Sequence, residues 1–190
     1  ADPNIIVISG APTPTGVNDG NVAIDDLTYL QQMYAAGLKQ WSDAIGAHPS
    51  GFNNAPTDDP NTNSAGTTNF KGHWSFYFRN FERYYEVMVA NGDGDKKIWF
   101  TEFGWASSPN PYPEYDYARQ VSEQRQAEWI VQAFQYARNS GYVGGAMLWN
   151  LNFAPGAEDN DRYAKLAFSI INRDYSPRPA YHALVQMPKN

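Results

Sequence analysis

The stretch Ile98-Trp99-Phe100-Thr101-Glu102-Phe103-Gly104-Trp105 decides how this chain is read. Ile98 to Thr101 are β-branched or aromatic, the composition of a buried strand. A single carboxylate, Glu102, closes that strand, with rings on both sides and Gly104 close behind. At a strand end Glu102 projects into the mouth of the sheet, beside rings that exclude water. Taken alone, it also fits a solvated carboxylate at a strand terminus.

Working outward, the same form recurs. Ile5, Ile6, Val7 and Ile8 make an unbroken β-branched run, Asp43 to Ala47 a short strand ending at His48 and Pro49, and Val143 to Trp149 a fourth. Runs without polar alternation belong to strands buried on both faces, as in parallel sheets covered by helices. The first run reads either as a tolerated edge strand or as a strand that a partner completes.

Helical patterns fall between the strands. Asp25 and Asp26 are capping candidates ahead of Leu27, Leu30, Tyr34, Leu38 and Trp41, which share one face. Phe78, Phe81, Tyr85, Met88 and Val89 form a second amphipathic set, closed by Asn91 and Gly92. Trp129, Ile130, Ala133, Phe134 and Ala137 form a third, ending at Gly141, and Pro179 opens a last short helix through Tyr181 and Leu184. Strict alternation predicts an α/β fold with a parallel sheet, one domain over residues 1–190, and long loops after the strands. Residues 51–72 read as a surface loop, and another loop rich in Ala, Gly, Asp and Asn follows Phe153. In α/β proteins the loops at the C-terminal strand ends carry the chemistry.

Composition removes several function classes. The 190 residues carry a net charge of −6, which disfavours nucleic acid and anionic membrane surfaces as partners. No apolar run approaches the roughly 20 residues of a membrane span. There is no Cys, so disulfides, thiolate metal sites and a Cys nucleophile are excluded, and three scattered His do not make a structural zinc site. Glycine patterns for a dinucleotide or phosphate are absent, so no cofactor is expected. Asn91-Gly92-Asp93-Gly94-Asp95 resembles a calcium loop in outline but lacks a distal Glu, and reads as a turn. The 29 aromatic residues (13 Tyr, 10 Phe, 6 Trp) with little charge suit stacking against neutral polar ligands.

A second informative segment is Val143-Gly144-Gly145-Ala146-Met147-Leu148-Trp149-Asn150-Leu151-Asn152-Phe153. The glycine pair permits a bend or the close approach of another backbone. Trp149 offers a flat face to a sugar ring or packs in the core, and Asn150 carries groups that match hydroxyls. His73 and Trp74 could line the same mouth or pack within their own loop, and Trp105 is a candidate rim contact. Tyr112, Tyr115 and Tyr117 read as residues that hold their loop together.

Thr101-Glu102-Phe103-Gly104-Trp105, Leu148-Trp149-Asn150 and Ser176-Pro177-Arg178-Pro179-Ala180-Tyr181 together resemble the last βα units of clan A retaining glycoside hydrolases, including cellulase-like and β-xylosidase-like members. His48-Pro49 resembles that clan's strand six. The resemblance implies a (β/α)4 half of a TIM barrel, units five to eight. It implies Glu102 as nucleophile, and Trp149 as sugar platform on a β-linked glycan. Two departures stand out. The clan's acid/base Glu lies in an Asn-Glu-Pro motif that this sequence lacks, and Ser50 stands where many members carry a Tyr bonded to the nucleophile.

Four units leave two open edges, so a homodimer or a complementary N-terminal half is the expected partner. Such a chain acts as the nucleophile half of a β-glycosidase, with weak or no activity alone. The alternatives are a carbohydrate-binding or structural half-barrel that assembles as a dimer, and an unrelated doubly wound binding domain. Location is left open, although relatives in this clan are often exported.

Overall fold

Three parallel strands in the order β1-β2-β3 carry helices on one face, in a computed structural model that describes residues 2, 4–62, 70–153 and 164–189. The elements alternate as the sequence predicts: α1 (Asp26–Ala35), α2 (Leu38–Trp41), β1 (Ala44–Ala47), α3 (Asn80–Ala90), β2 (Lys97–Phe103), α4 (Glu123–Ser140), β3 (Val143–Leu148), α5 (Ala164–Ala167) and α6 (Pro179–Gln186). The expected loop after Phe153 lies almost wholly in residues 154–163, outside the described residues.

The expected first strand is reduced to a single parallel bridge between Ile8 and Ala44. Its cause is Asp43, whose carboxylate accepts the Val7 N–H at 2.8 Å, a donor that a ladder would otherwise use. Ile5 and Ile6 are 61% and 58% exposed instead of buried on both faces.

Helix starts follow their caps. The Asp25 carboxylate accepts the Thr28 N–H at 3.1 Å, and the Ser122 hydroxyl accepts that of Arg125 at 3.1 Å. The stripe ending in Trp41 does not hold. Gly37, at φ +97°, ends the first helical stretch and α2 restarts on a new azimuth, which leaves Trp41 76% exposed. Val89 is likewise exposed, and Phe78 is buried ahead of α3 instead of inside it.

The core lies between one sheet face and the helices. Ile45, Ile98, Phe100 and Phe103 meet Leu30 and Tyr34 of α1, Phe81 and Met88 of α3, and Ile130, Ala133 and Ala137 of α4. On the opposite face Trp99 lies across β3. A Cβ on Gly144 would stand 2.6 Å from its indole nitrogen, and one on Gly145 2.9 Å from its ring. The glycine pair therefore admits a neighbouring side chain, where a bend or a backbone contact was expected.

The segment from Asn91 to Asp95 is a turn fastened from inside. Asp93 accepts from the Tyr34 hydroxyl at 2.9 Å and pairs with Lys96 at 3.0 Å. Part of the predicted surface loop is also pinned. Fully buried Asn54 donates to the carbonyls of Phe70 (3.0 Å) and Phe76 (2.8 Å), and its own carbonyl accepts from Trp105 (2.8 Å). Phe52 stacks on Phe70 at 4.4 Å, and both pack against a second apolar cluster containing Tyr117 and Ala118. No helix among the described residues is long and apolar enough to cross a membrane.

Candidate functional site

A cleft of about 440 Å³ opens at the C-terminal ends of the strands, and each strand-like segment contributes to it. Thr13 and Pro14 come from the connection after Ile8. His48, Pro49 and Ser50 follow β1, Glu102 and Gly104 close β2, and Trp149 follows β3. Phe52, Tyr115, Lys165 and Phe168 complete the walls.

Glu102 reaches this cleft because β2 carries an extra residue. Phe100 pairs with Ala146 and Phe103 with Leu148, so Thr101 and Glu102 together face Met147. Without that bulge, alternation would turn Glu102 toward the helices with Ile98 and Phe100. With it, Phe103 stays in the core and Glu102 is re-aimed to the partly buried wall of the mouth. Among the described residues, none hydrogen-bonds the Glu102 carboxylate. Ser50 lines the same cleft.

His48 stands on the neighbouring strand end. Its Nε2 lies 2.9 Å from the Thr101 Oγ1, a pairing whose donor depends on the imidazole tautomer. Burial pushes the His48 imidazole below its ordinary pKa, and the Glu102 charge opposes that shift. A folded pKa below the unfolded one means that the folded chain binds fewer protons. The stabilisation is complete above about pH 6.5 and is lost as pH falls through the lowered value. Melting temperature should therefore drop more steeply on acidification in the natural chain than in His48→Gln. Parallel slopes would remove His48 as the source.

Trp149 and Glu102 are brought together by backbone contact. The Trp149 N–H donates to the Phe103 carbonyl at 2.8 Å, and a Cβ on Gly104 would fall 2.4 Å from the Trp149 carbonyl oxygen. Only glycine admits that approach. The Trp149 ring lies 5.1 Å from that of Phe153, and the Trp149-Asn150 peptide bond is cis.

Other predicted contacts take structural places. Trp105 is 1% exposed, and its indole N–H is used by Asn54, so it forms core and not rim. Asn150 is buried, donating to the Lys165 carbonyl at 3.0 Å and accepting from the Ser169 hydroxyl at 2.8 Å. His73 caps the turn Trp74–Phe76 and lies 3.8 Å from Asp25, while Trp74 sits under the Arg83 guanidinium; neither lines the cleft. Tyr117 packs with Phe52 and Phe70 as a loop-holding residue, but Tyr115 faces the cleft. Phe52, Tyr115 and Lys165 were not legible as site residues, because their positions depend on how long loops fold back. The Pro-flanked turn Pro113–Gln120 is the one local signal that fixes Tyr115.

A separate cavity of about 340 Å³ lies along the outer edge of β3, lined by Phe134, Arg138, Gly144 and Met187 among others, and it contains none of the predicted site residues. Among the described residues no three His, Asp or Glu side chains are grouped to hold a metal.

No family model matches this sequence, and no curated protein matches it. Solved structures do. A family 39 glycoside hydrolase from the gut symbiont Bacteroides cellulosilyticus WH2 superposes with a TM-score of 0.59 over 83% of this chain at 18% identity. Xylanase 10B from Thermotoga maritima matches 85% of the chain at 17% identity and a TM-score of 0.47. The chain spans 29% of the first relative's length and 40% of the second's. In fold, it is similar to part of a glycoside hydrolase barrel.

Proposed function

We propose that the cleft is half of a retaining β-glycosidase site, with Glu102 as nucleophile and Trp149 as the platform for a β-linked sugar. The observation that carries this reading is the β2 bulge. It aims one carboxylate into a cleft at the C-terminal strand ends, against an aromatic face. In the proposed step a Glu102 oxygen bonds to the anomeric carbon while the bond to the leaving group breaks, giving a glycosyl ester that water then hydrolyses.

Retaining hydrolysis needs a second carboxyl group about 5–5.5 Å away. Glu102 is the one carboxylate among the described residues that line the cleft. We assign the acid/base role to complementary strands, supplied by a second copy or by a separate half-barrel. Support comes from the exposed Ile5, Ile6 and Val7 at one sheet edge, and Met147 and Leu151 near the other. Light scattering at twice the 21.3 kDa of one chain is the expected result for a second copy. A stable monomer removes that version.

The test of the nucleophile is an activated 2-deoxy-2-fluoro-β-glycoside, whose covalent label should appear on the peptide containing Glu102. A sugar-induced change in tryptophan fluorescence without any label would favour the second reading, a carbohydrate-binding half-barrel. That reading draws on the same single carboxylate.

A further inference from the structure

We propose that the ligand of this cleft is a chain of β-linked sugars and not a single glycoside, its further units held in a second cavity beyond Thr13; the proposal rests on the glycan-site reading above. That cavity, of about 390 Å³, lies between the connection after Ile8 and the first turn of α1. Thr13 borders both it and the cleft, so a single residue divides the two spaces.

The divide is stiff. Pro12 and Pro14 flank Thr13, fixing φ on either side and restricting Thr13 to extended backbone. Pro14 is buried, and the Tyr84 hydroxyl donates to the Pro12 carbonyl at 3.4 Å. The far wall is built as well. The Asp19 carboxylate accepts the backbone N–H groups of Asn21, Val22 and Ala23 at 2.9, 2.8 and 3.3 Å. Tyr29 stands in the first turn of α1, which Asp26 anchors by accepting from Ser75 at 2.8 Å and Asn80 at 2.6 Å. Walls ordered before a ligand arrives lose little entropy when it binds.

The lining selects the ligand class. Val22 and Tyr29 are 80% and 46% exposed and offer apolar faces, and Asn21 offers an amide. Among the described residues, none hydrogen-bonds the Tyr29 hydroxyl or the Asn21 side chain. No charged side chain lines the cavity, although Asp19 and Asp25 lie in the same segment; their carboxylates are turned to backbone N–H groups. A ring, an apolar side chain and uncharged polar groups suit a neutral sugar, which has a C–H face and hydroxyls at its edge. With one unit in the cleft, the next meets this cavity at a high effective concentration.

The test titrates the full chain by calorimetry with β-1,4-linked glucose and xylose series of one to four units. In the series that binds, affinity should rise about tenfold beyond the first unit. Tyr29→Ala should remove most of that gain and leave binding of the single unit unchanged, while Tyr29→Phe keeps the gain. Equal affinity for one unit and four, or a gain untouched by Tyr29→Ala, overturns this inference and leaves the glycan site standing. A loss in Tyr29→Ala shared equally by all lengths assigns the tyrosine a structural role and also overturns it. Binding of neither series at any length overturns both.

Discussion

Glu102→Gln is expected to abolish covalent capture of an activated 2-deoxy-2-fluoro-β-glycoside, with no labelled peptide above background. The amide is nearly isosteric, so the bulge that aims residue 102 is left in place. What disappears is the negative charge, and with it the group proposed as nucleophile. The probe is chosen because a leaving group such as dinitrophenolate departs without protonation. Capture then does not depend on a second carboxyl group. Sugar-induced fluorescence change through Trp149 should persist in the variant, because stacking does not involve residue 102. Capture that survives in Glu102→Gln would place the nucleophile elsewhere and overturn the assignment.

Phe78→Ala should destabilise the fold severely, lowering unfolding free energy by about 3–5 kcal/mol. For a chain of this size that is a fall in melting temperature of roughly 6–20 °C. Phe78 is completely buried, and its ring touches five others: Phe81 at 5.4 Å, Phe100 at 5.6 Å, Trp105 at 5.7 Å, Phe103 at 6.0 Å and Tyr136 at 6.3 Å. Two of these, Phe100 and Phe103, bracket the bulge. The void would therefore loosen the part of β2 that holds Glu102, and glycoside capture should slow along with the loss of stability. Thermal melts and capture rates at low temperature measure the two effects separately. A loss below about 1 kcal/mol would mean that the surrounding rings collapse into the space.

Element type and order were readable because they are local. The runs from Ile98 and Val143 and the helix ending at Gly141 announce themselves through periodicity and caps. What could not be read depends on contacts across the chain. Asp43 is an ordinary residue before a strand until its carboxylate takes the Val7 N–H, at a separation of 36 residues. Trp41 sits at helical spacing from Tyr34, yet the break at Gly37 lies between them and leaves Trp41 in solvent. That Glu102, His48 and Trp149 line one cleft was legible because each sits at or just beyond a strand end. Trp105 and Asn150 were misread for the same reason: proximity in sequence to a strand end does not say whether a side chain turns outward. Lys165 had no signal at all, since its place depends on a bond from Asn150.

Trp99 lying over Gly144 and Gly145 has a bearing on the mouth of the sheet, several residues away. The bulky ring and the bare glycine pair work as a key and its slot. If β2 slid by one residue along β3, the ring would meet the side chain of Val143 or Ala146 and would no longer seat. The alignment of the two strands is thus indexed near their starts, and that index sets the height at which Glu102 stands beside Trp149. Enlarging either glycine should therefore misalign Glu102 and Trp149 without touching any atom of the cleft.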